Sequence, residues 1–335
     1  MLAQSQSSQD IYHGLQKILT PITFGPVLSR RFGTSLGVDL SPELKQCNFD
    51  CLYCELKAAK SIDSMRSVVS VDVIVKEITT ALQRIGAQNL SVLTFTANGE
   101  PTLYPHLYEL IMRVKEILPS GIKTLILSNG SLFWQPKVAR ALREFDIVKF
   151  SLDSLNQKSF SRIDRPHKSL NLEQIKNGIK SFSEKFSGIL IGEILLLKGV
   201  NDSTQDAIAL AQFLQEIPIA RLDIGTLDRP PAHKASPLSL KELQSYAKHF
   251  KGLNVSLPSR VKNSRTKSAD SKANHYTPSD ISTKEIIESI SRRPLSADDI
   301  RSLFSPKSQE RIATLIKDKI LVWENVGGIK FLKVL

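Results

Sequence analysis

All three cysteines of this 335-residue chain fall within eight residues, Cys47-Asn-Phe-Asp-Cys51-Leu-Tyr-Cys54. An odd number at such short spacing makes no disulfide framework, and a reducing cytosol keeps such thiols free. Metal ligation is the natural reading. Thiolates this close converge on one centre only where the backbone curls around it, and three of them suit a cubane cluster of four irons. One iron then lacks a protein ligand, and an open coordination position separates a catalytic metal site from a structural one. Two other readings stay open. Free Cys is among the most buried residue types, although three in eight residues with none elsewhere is a poor core pattern. Zinc held by three Cys and one His is the better rival, but no second knuckle and no nearby His follows Cys54.

Composition narrows the setting. The chain carries 45 Lys or Arg against 33 Asp or Glu, a formal net charge of +12, with 41% hydrophobic residues. That is the balance of a soluble globular protein, and the length suits one large domain plus a small one. No run of about 18 apolar residues occurs, which excludes a membrane-spanning helix. The opening MLAQSQSSQD lacks the basic-then-apolar pattern of a secretory signal. A cytoplasmic protein with no membrane partner is expected, and the positive excess favours phosphate-rich or other acidic partners.

Beyond the cysteines, short apolar runs alternate with amphipathic stretches, the rhythm of parallel strands joined by helical crossovers. Strands are expected over 35–40, 91–96, 123–128, 147–152, 189–197 and 219–225. Helices are expected over 71–85, 105–118, 136–144, 172–186, 204–216 and 240–249. Ser239 and Glu242 form a capping box at the start of the last helix. Six such units make a partial (β/α)6 TIM-like barrel or an open doubly wound sheet, and both place their chemistry in loops at the strand C-termini. The cysteines sit in such a loop, after the first of these strands.

Polar residues close the following strands. Gly99-Glu100-Pro101 follows the second, Ser128-Asn129-Gly130 ends the third and Ser151-Leu152-Asp153 ends the fourth. The fifth carries Gly192-Glu193 and runs into Lys198-Gly199-Val200-Asn201-Asp202. Each alone is ordinary turn chemistry, but together on one rim they suit a small zwitterionic ligand beside a metal. Arg30-Arg31 and the cluster Arg162, Arg165, His167 are further candidates for an anionic substrate near that rim, against the commoner reading of solvated or paired charges. Arg229, before Pro230-Pro231, stands at a strand end and is the first candidate for substrate contact.

The pattern CxxxCxxC with Tyr53 just before its final Cys, together with Gly99-Glu100-Pro101, resembles the radical S-adenosylmethionine superfamily. The resemblance implies a [4Fe-4S] cluster on Cys47, Cys51 and Cys54, with the methionyl amine and carboxylate of S-adenosylmethionine on the open iron. It places Gly99 and Glu100 against the methionyl ammonium. Asn129, Ser151 and Asp153 match residues that touch ribose and carboxylate, and Tyr53 and the backbone near Val200 border adenine. The stretch from Phe24 through Arg31, Gly37 and Asp39, and Thr226 to Pro231, is similar to a narrower group of bacterial and archaeal radical proteins related to the wyosine-synthesis enzymes of tRNA. The similarity covers residues 23–257. No flavodoxin-like half is present, so an external electron donor of flavodoxin or ferredoxin type is implied. With three cysteines the chain lacks the thiols for an auxiliary cluster or a methyl-accepting Cys.

Residues 258–279 are polar and rich in turn formers, with five basic residues against one acidic, and read as a basic linker. Three short helices then follow, at 283–291, 297–304 and 306–319, and two strands at 320–324 and 329–334. That order resembles a winged helix-turn-helix over 280–335. Its third helix would expose Lys307, Arg311, Thr314 and Lys317, but ten basic against eight acidic residues from Asp280 onward is weak for tight phosphate binding. Domains are thus expected as an N-terminal extension over 1–22, the large domain over 23–257, the linker and the small domain. The function expected is a single-cluster radical enzyme that cleaves S-adenosylmethionine reductively and abstracts hydrogen from RNA, tRNA included. The alternatives are an activase acting on a protein partner, and a metal-bearing nucleic-acid-binding regulator without turnover.

Overall fold

The computed structural model describes residues 21–29, 31–258, 280–292, 294–326 and 328–335. The expected linker and N-terminal extension, except for Pro21, Ile22 and Pro258, and also Arg30, lie outside the described residues. The chain divides into two compact units, one of Ile22–Leu227 with the chain from Pro231, the other of Asp228–Pro230 with the C-terminal residues.

In the first unit β1 (Thr23–Ser29) and β2 (Gly33–Asp39) pair antiparallel. β3 (Val92–Thr96), β4 (Lys123–Ser128), β5 (Ile147–Ser151), β6 (Ile189–Leu196), β7 (Arg221–Thr226) and β8 (Val255–Ser256) then add in chain order, each parallel to the one before. Helices fill the crossovers: α1 (Val71–Ile85), α2 (Leu107–Ile117), α3 (Pro136–Leu142), α4 (Gln157–Ile163), α5 (Leu172–Ser183), α6 (Thr204–Gln215) and α7 (Leu240–Ala247). Their starts follow from short polar side chains that accept otherwise unpaired N–H groups. Asn156 caps α4, Asn171 caps α5, Ser203 caps α6, and Ser239 with Glu242 closes the expected box on α7.

The six expected strands form, each within two residues of its expected ends. The sheet has two more. β1 was illegible because Gly25 and Pro26 interrupt its apolar run, and the structure absorbs them in a register shift between Phe24 and Val27. Proline cannot donate to a ladder, so such a strand survives at an edge, and β1 is the edge of the sheet order. β8 is two residues long, and α4 lies in a stretch whose charges dominate its pattern.

Side chains alternate between two faces. Leu36, Val38, Leu93, Phe95, Val148 and Phe150 point to the helices and form the main core with them. Val92, Leu125, Ile147 and Ile191 form a second, small cluster on the helix-free face, with Phe32 against it. That face is the inside of a curl. Arg31, in the β1–β2 turn, places Nη1 2.8 Å from Oδ2 of Asp223 on β7. On a flat sheet β2 and β7 would stand roughly 24 Å apart, at about 4.8 Å per strand. Arg31 therefore lies at the N-terminal end of the parallel strands, opposite the cysteine rim where it was expected. The antiparallel hairpin that puts it there is the element the sequence hid.

The second unit contains α8 (Thr283–Arg292), β9 (Leu295–Ser296), α9 (Ala297–Leu303), α10 (Pro306–Lys317), β10 (Leu321–Val326) and β11 (Ile329–Val334). Its sheet order is β10-β11-β9. Ile286, Ile290, Ile300, Ile312, Leu315 and Leu332 are buried together at its centre. Of the exposed face expected on α10, Lys307 and Arg311 are both paired with Asp280. Among the described residues no helix is long and apolar enough to cross a membrane.

Candidate cofactor site at the strand C-termini

The loop from β2 to α1 carries the cysteines, and Gln46 fixes it. Buried at 2% exposure, its side-chain amide donates to Ser41 Oγ and Ser67 O, each at 2.8 Å, and its Oε1 accepts from the N–H of Arg66 and Ser67. The two ends of the loop are thus tied to one side chain. Its backbone continues the sheet in an isolated bridge to Gly99, with Gln46 N donating to Asn98 O at 2.8 Å and Glu100 N to Gln46 O at 3.0 Å. Gly99 has φ +139°, and a Cβ there would stand 1.9 Å from Gln46 O. Glycine is required because the backbone before Cys47 occupies that space.

Further along the loop, Phe49 inserts into the core and meets Phe160 of α4 edge to face, with ring centroids 5.7 Å apart. Asp50 N and Leu52 N donate to Asp164 O and Ile163 O at the end of α4. The helix missed in the sequence is therefore the platform on which the cysteines rest. Asn48, between Cys47 and Cys51, donates to Ser131 Oγ and accepts from the side-chain amide of Asn129, both at 2.8 Å.

The three thiols influence one another electrostatically. Cys51 lies within electrostatic reach of Cys47 and Cys54, and Cys47 of Cys54. Burial, with Glu100 next, pushes the Cys47 thiol up to about 12, and burial with Asp164 raises Cys51 well above the usual range. Lys45 counters this locally. Its side chain is 9% exposed, its ammonium lies 3.3 Å from Asp50 Oδ1 and it hydrogen-bonds Cys54. Arg165 and His233 reach the other Asp50 oxygen, at 3.3 and 3.0 Å.

As the side chains stand, no trio of His, Cys, Asp or Glu among the described residues is closed around an ion. Thiols this near repel once ionised, so only a cation draws them closer as thiolates. An all-sulfur set of three fits an iron-sulfur cluster, and among the described residues no His side chain joins it as a zinc site would need.

Glu100, Asn129, Ser151, Asp153 and Val200 stand at or just beyond the C-terminal ends of the first unit's strands, and most of them are engaged by protein. Glu100, 2% exposed, accepts at Oε1 from Thr102 N, Thr102 Oγ1 and Ser128 Oγ, and at Oε2 from Asn129 N. Burial raises its pKa and these bonds oppose the shift. Asn129 Oδ1 accepts from Ser131. Asp153 takes the Tyr53 hydroxyl at 2.7 Å and Leu195 N at 2.7 Å. It also hydrogen-bonds the buried Asp164, which accepts from Cys51 Sγ at 3.5 Å. Burial lifts Asp153 to about 6, and burial with Asp153 beside it raises Asp164 well above its ordinary value. Ser151 is half-buried, and its hydroxyl has no protein partner among the described residues. Val200 sits in the turn closed by its N–H to Leu197 O, which Asn201 ties to the Asp153 carbonyl. Arg162 donates to Gly199 O at 2.8 Å, His167 N donates to Asn48 O, and Arg229 lies 3.7 Å from Asp228.

Lys45, Asn48, Asp50 and Asp164 escaped the sequence reading. Asn48 and Asp50 carried a signal, two short polar side chains interleaved with the cysteines. Asp164 carried none, because its place under Cys51 is set by α4 rather than by any motif.

A sequence model described as the radical SAM superfamily matches residues 44–211. A UPF0026 protein of Helicobacter pylori strain J99 is 49% identical over 311 residues, covering 93% of this chain and 97% of its own. A UPF0026 protein of Methanocaldococcus jannaschii is 34% identical over 214 residues, 64% of this chain and 65% of its own. Among solved structures, a radical SAM methyltransferase from Sphaerobacter thermophilus superposes with a TM-score of 0.53 at 18% identity, over 67% of this chain and 66% of its own.

Proposed function

The chain belongs to the radical SAM superfamily, enzymes that use a [4Fe-4S] cluster and S-adenosylmethionine, and from that premise we propose that its substrate is RNA. When bound, the two cofactors supply one-electron cleavage of a sulfonium and abstraction of a substrate hydrogen atom. Cys47, Cys51 and Cys54 would hold the cluster. The Gly99 backbone, Glu100 Oε2 and the Ser151 hydroxyl would take the polar ends of S-adenosylmethionine. Asn129, Asp153, Tyr53 and the Val200 turn shape that pocket as braced walls, since their side chains already bond one another and the cysteine loop. Such bracing holds reacting groups in place and limits water. An external flavodoxin- or ferredoxin-type protein would supply the electron.

The observation that favours RNA is the loop between β5 and α5. Lys158, Arg162, Arg165 and Lys168 are exposed there, and its two acidic residues, Asp153 and Asp164, are buried. A one-signed rim beside the reaction centre attracts a phosphate backbone. Arg229 is the candidate contact closest in sequence to a strand end. The first unit is read as a partial (β/α)6 barrel. The order α8-β9-α9-α10-β10-β11 supports reading the second as winged-helix-like, with its helix charges muted by Asp280.

The test is anaerobic purification followed by iron and sulfide analysis, then release of 5′-deoxyadenosine under dithionite with and without RNA from cells lacking the protein. Bound iron and sulfide, lost when any of the three cysteines is changed to Ala, and release accelerated by that RNA are expected. A colourless protein with one zinc ends the radical reading. Cleavage that the RNA leaves unchanged ends the RNA reading.

A further inference from the structure

The N-terminal edge of the curled sheet holds a cavity of about 540 Å3, opposite the cysteine rim. Its polar groups come from residues at or just before the strand starts, Arg31, Lys123 and Arg221. Its walls include Phe32, Ile147 and Ile191 of the helix-free face. Ile189, also in the lining, is 38% exposed although it opens a central strand.

The charge there is one-signed. Among the described residues no Asp or Glu lines the cavity. Behind it Asp223, 1% exposed, is shared by three cations, with Arg31 at 2.8 Å, Arg221 at 2.9 Å and Lys149 at 3.1 Å. Lys149 turns also to Glu193 at 2.6 Å. One carboxylate cannot neutralise two guanidiniums and part of an ammonium, and Lys123 has no side-chain partner among the described residues. A concave, low-dielectric pocket concentrates such a surplus.

The volume lies in the range of small-molecule sites, whose pattern is apolar walls with a few convergent polar groups. A bare inorganic anion would leave the apolar walls wet. Arg221 stacks toward the Phe32 ring at 5.4 Å, so the cavity offers flat faces as well as charge. We propose that this cavity binds an organic phosphate of nucleotide size, its phosphate toward Lys123, Arg31 and Arg221 and its planar body against Phe32 and the isoleucines. The proposal stands apart from the cofactor reading, since the two sites lie at opposite ends of the strands.

Calorimetric titration of the full chain with AMP, adenosine and inorganic phosphate tests it. AMP is expected to bind at least about tenfold more tightly than either fragment, a difference of roughly 1.4 kcal/mol, and to weaken with added salt. Lys123→Glu and Ile189→Asp, both at exposed positions, are each expected to weaken AMP about tenfold or more with the melting temperature unchanged. AMP binding that both variants leave intact, that is displaced by S-adenosylmethionine, or that is no tighter than inorganic phosphate overturns the proposal.

Discussion

Gly99 and Gln46 meet backbone to backbone, so closely that any side chain on Gly99 would overlap the Gln46 carbonyl, at 1.9 Å from its oxygen. This contact extends the parallel sheet by one bridge beyond β3 and delivers the cysteine loop to the rim where Glu100 stands. The glycine of the Gly-Glu-Pro segment therefore acts first on the protein itself.

Gly99→Ala is expected to displace the loop and to cost about 3 kcal/mol, from a positive φ and from overlap with backbone that cannot rotate away. Iron content after anaerobic reconstitution should fall together with the unfolding midpoint. Full iron loading in this variant would show that the bridge does not position the cysteines.

Glu100→Gln leaves the volume unchanged but turns one acceptor oxygen into a donor facing donors from Thr102, Ser128 or Asn129. A stability loss of about 1–3 kcal/mol follows from the unmatched group. The three thiols are untouched, so iron loading should persist while affinity for S-adenosylmethionine drops roughly tenfold. Spectroscopic titration that returns the wild-type affinity would remove Glu100 from the cofactor site.

Lys45 holds an ammonium beside Cys54. Burial works against its charge, but Cys54, Asp50 and Cys47 outweigh that and raise its pKa. A fixed positive charge near a cluster favours the reduced form. Lys45→Met should lower the reduction potential by on the order of tens of millivolts, read by a redox titration followed by electron paramagnetic resonance. An unchanged potential in an iron-replete variant would refute the electrostatic role.

Asp223→Ala removes the carboxylate on which Arg31, Lys149 and Arg221 converge. Lys149 keeps Glu193 at 2.6 Å and the two arginines are half-buried, so the loss is about 1–3 kcal/mol. Urea unfolding is the measurement, and a loss below about 1 kcal/mol would mean that the curl does not depend on this cluster.

What the chain alone determined were features set by neighbours in sequence. The spacing of Cys47, Cys51 and Cys54, the Gly-Glu-Pro segment, the apolar strand runs and the Ser239–Glu242 cap all arise from local periodicity or short motifs, and each was legible. Tertiary structure alone decided what the rim residues touch. Tyr53 finds Asp153 a hundred positions away, Cys51 finds Asp164, and Asn48 finds Asn129 and Ser131. The same holds for Arg31, which moved from an expected rim to the opposite edge once an interrupted run of residues proved to be strand β1. Curling a parallel sheet brings together the ends of strands far apart in the chain, and no pattern confined to a short window of sequence records which ends will meet.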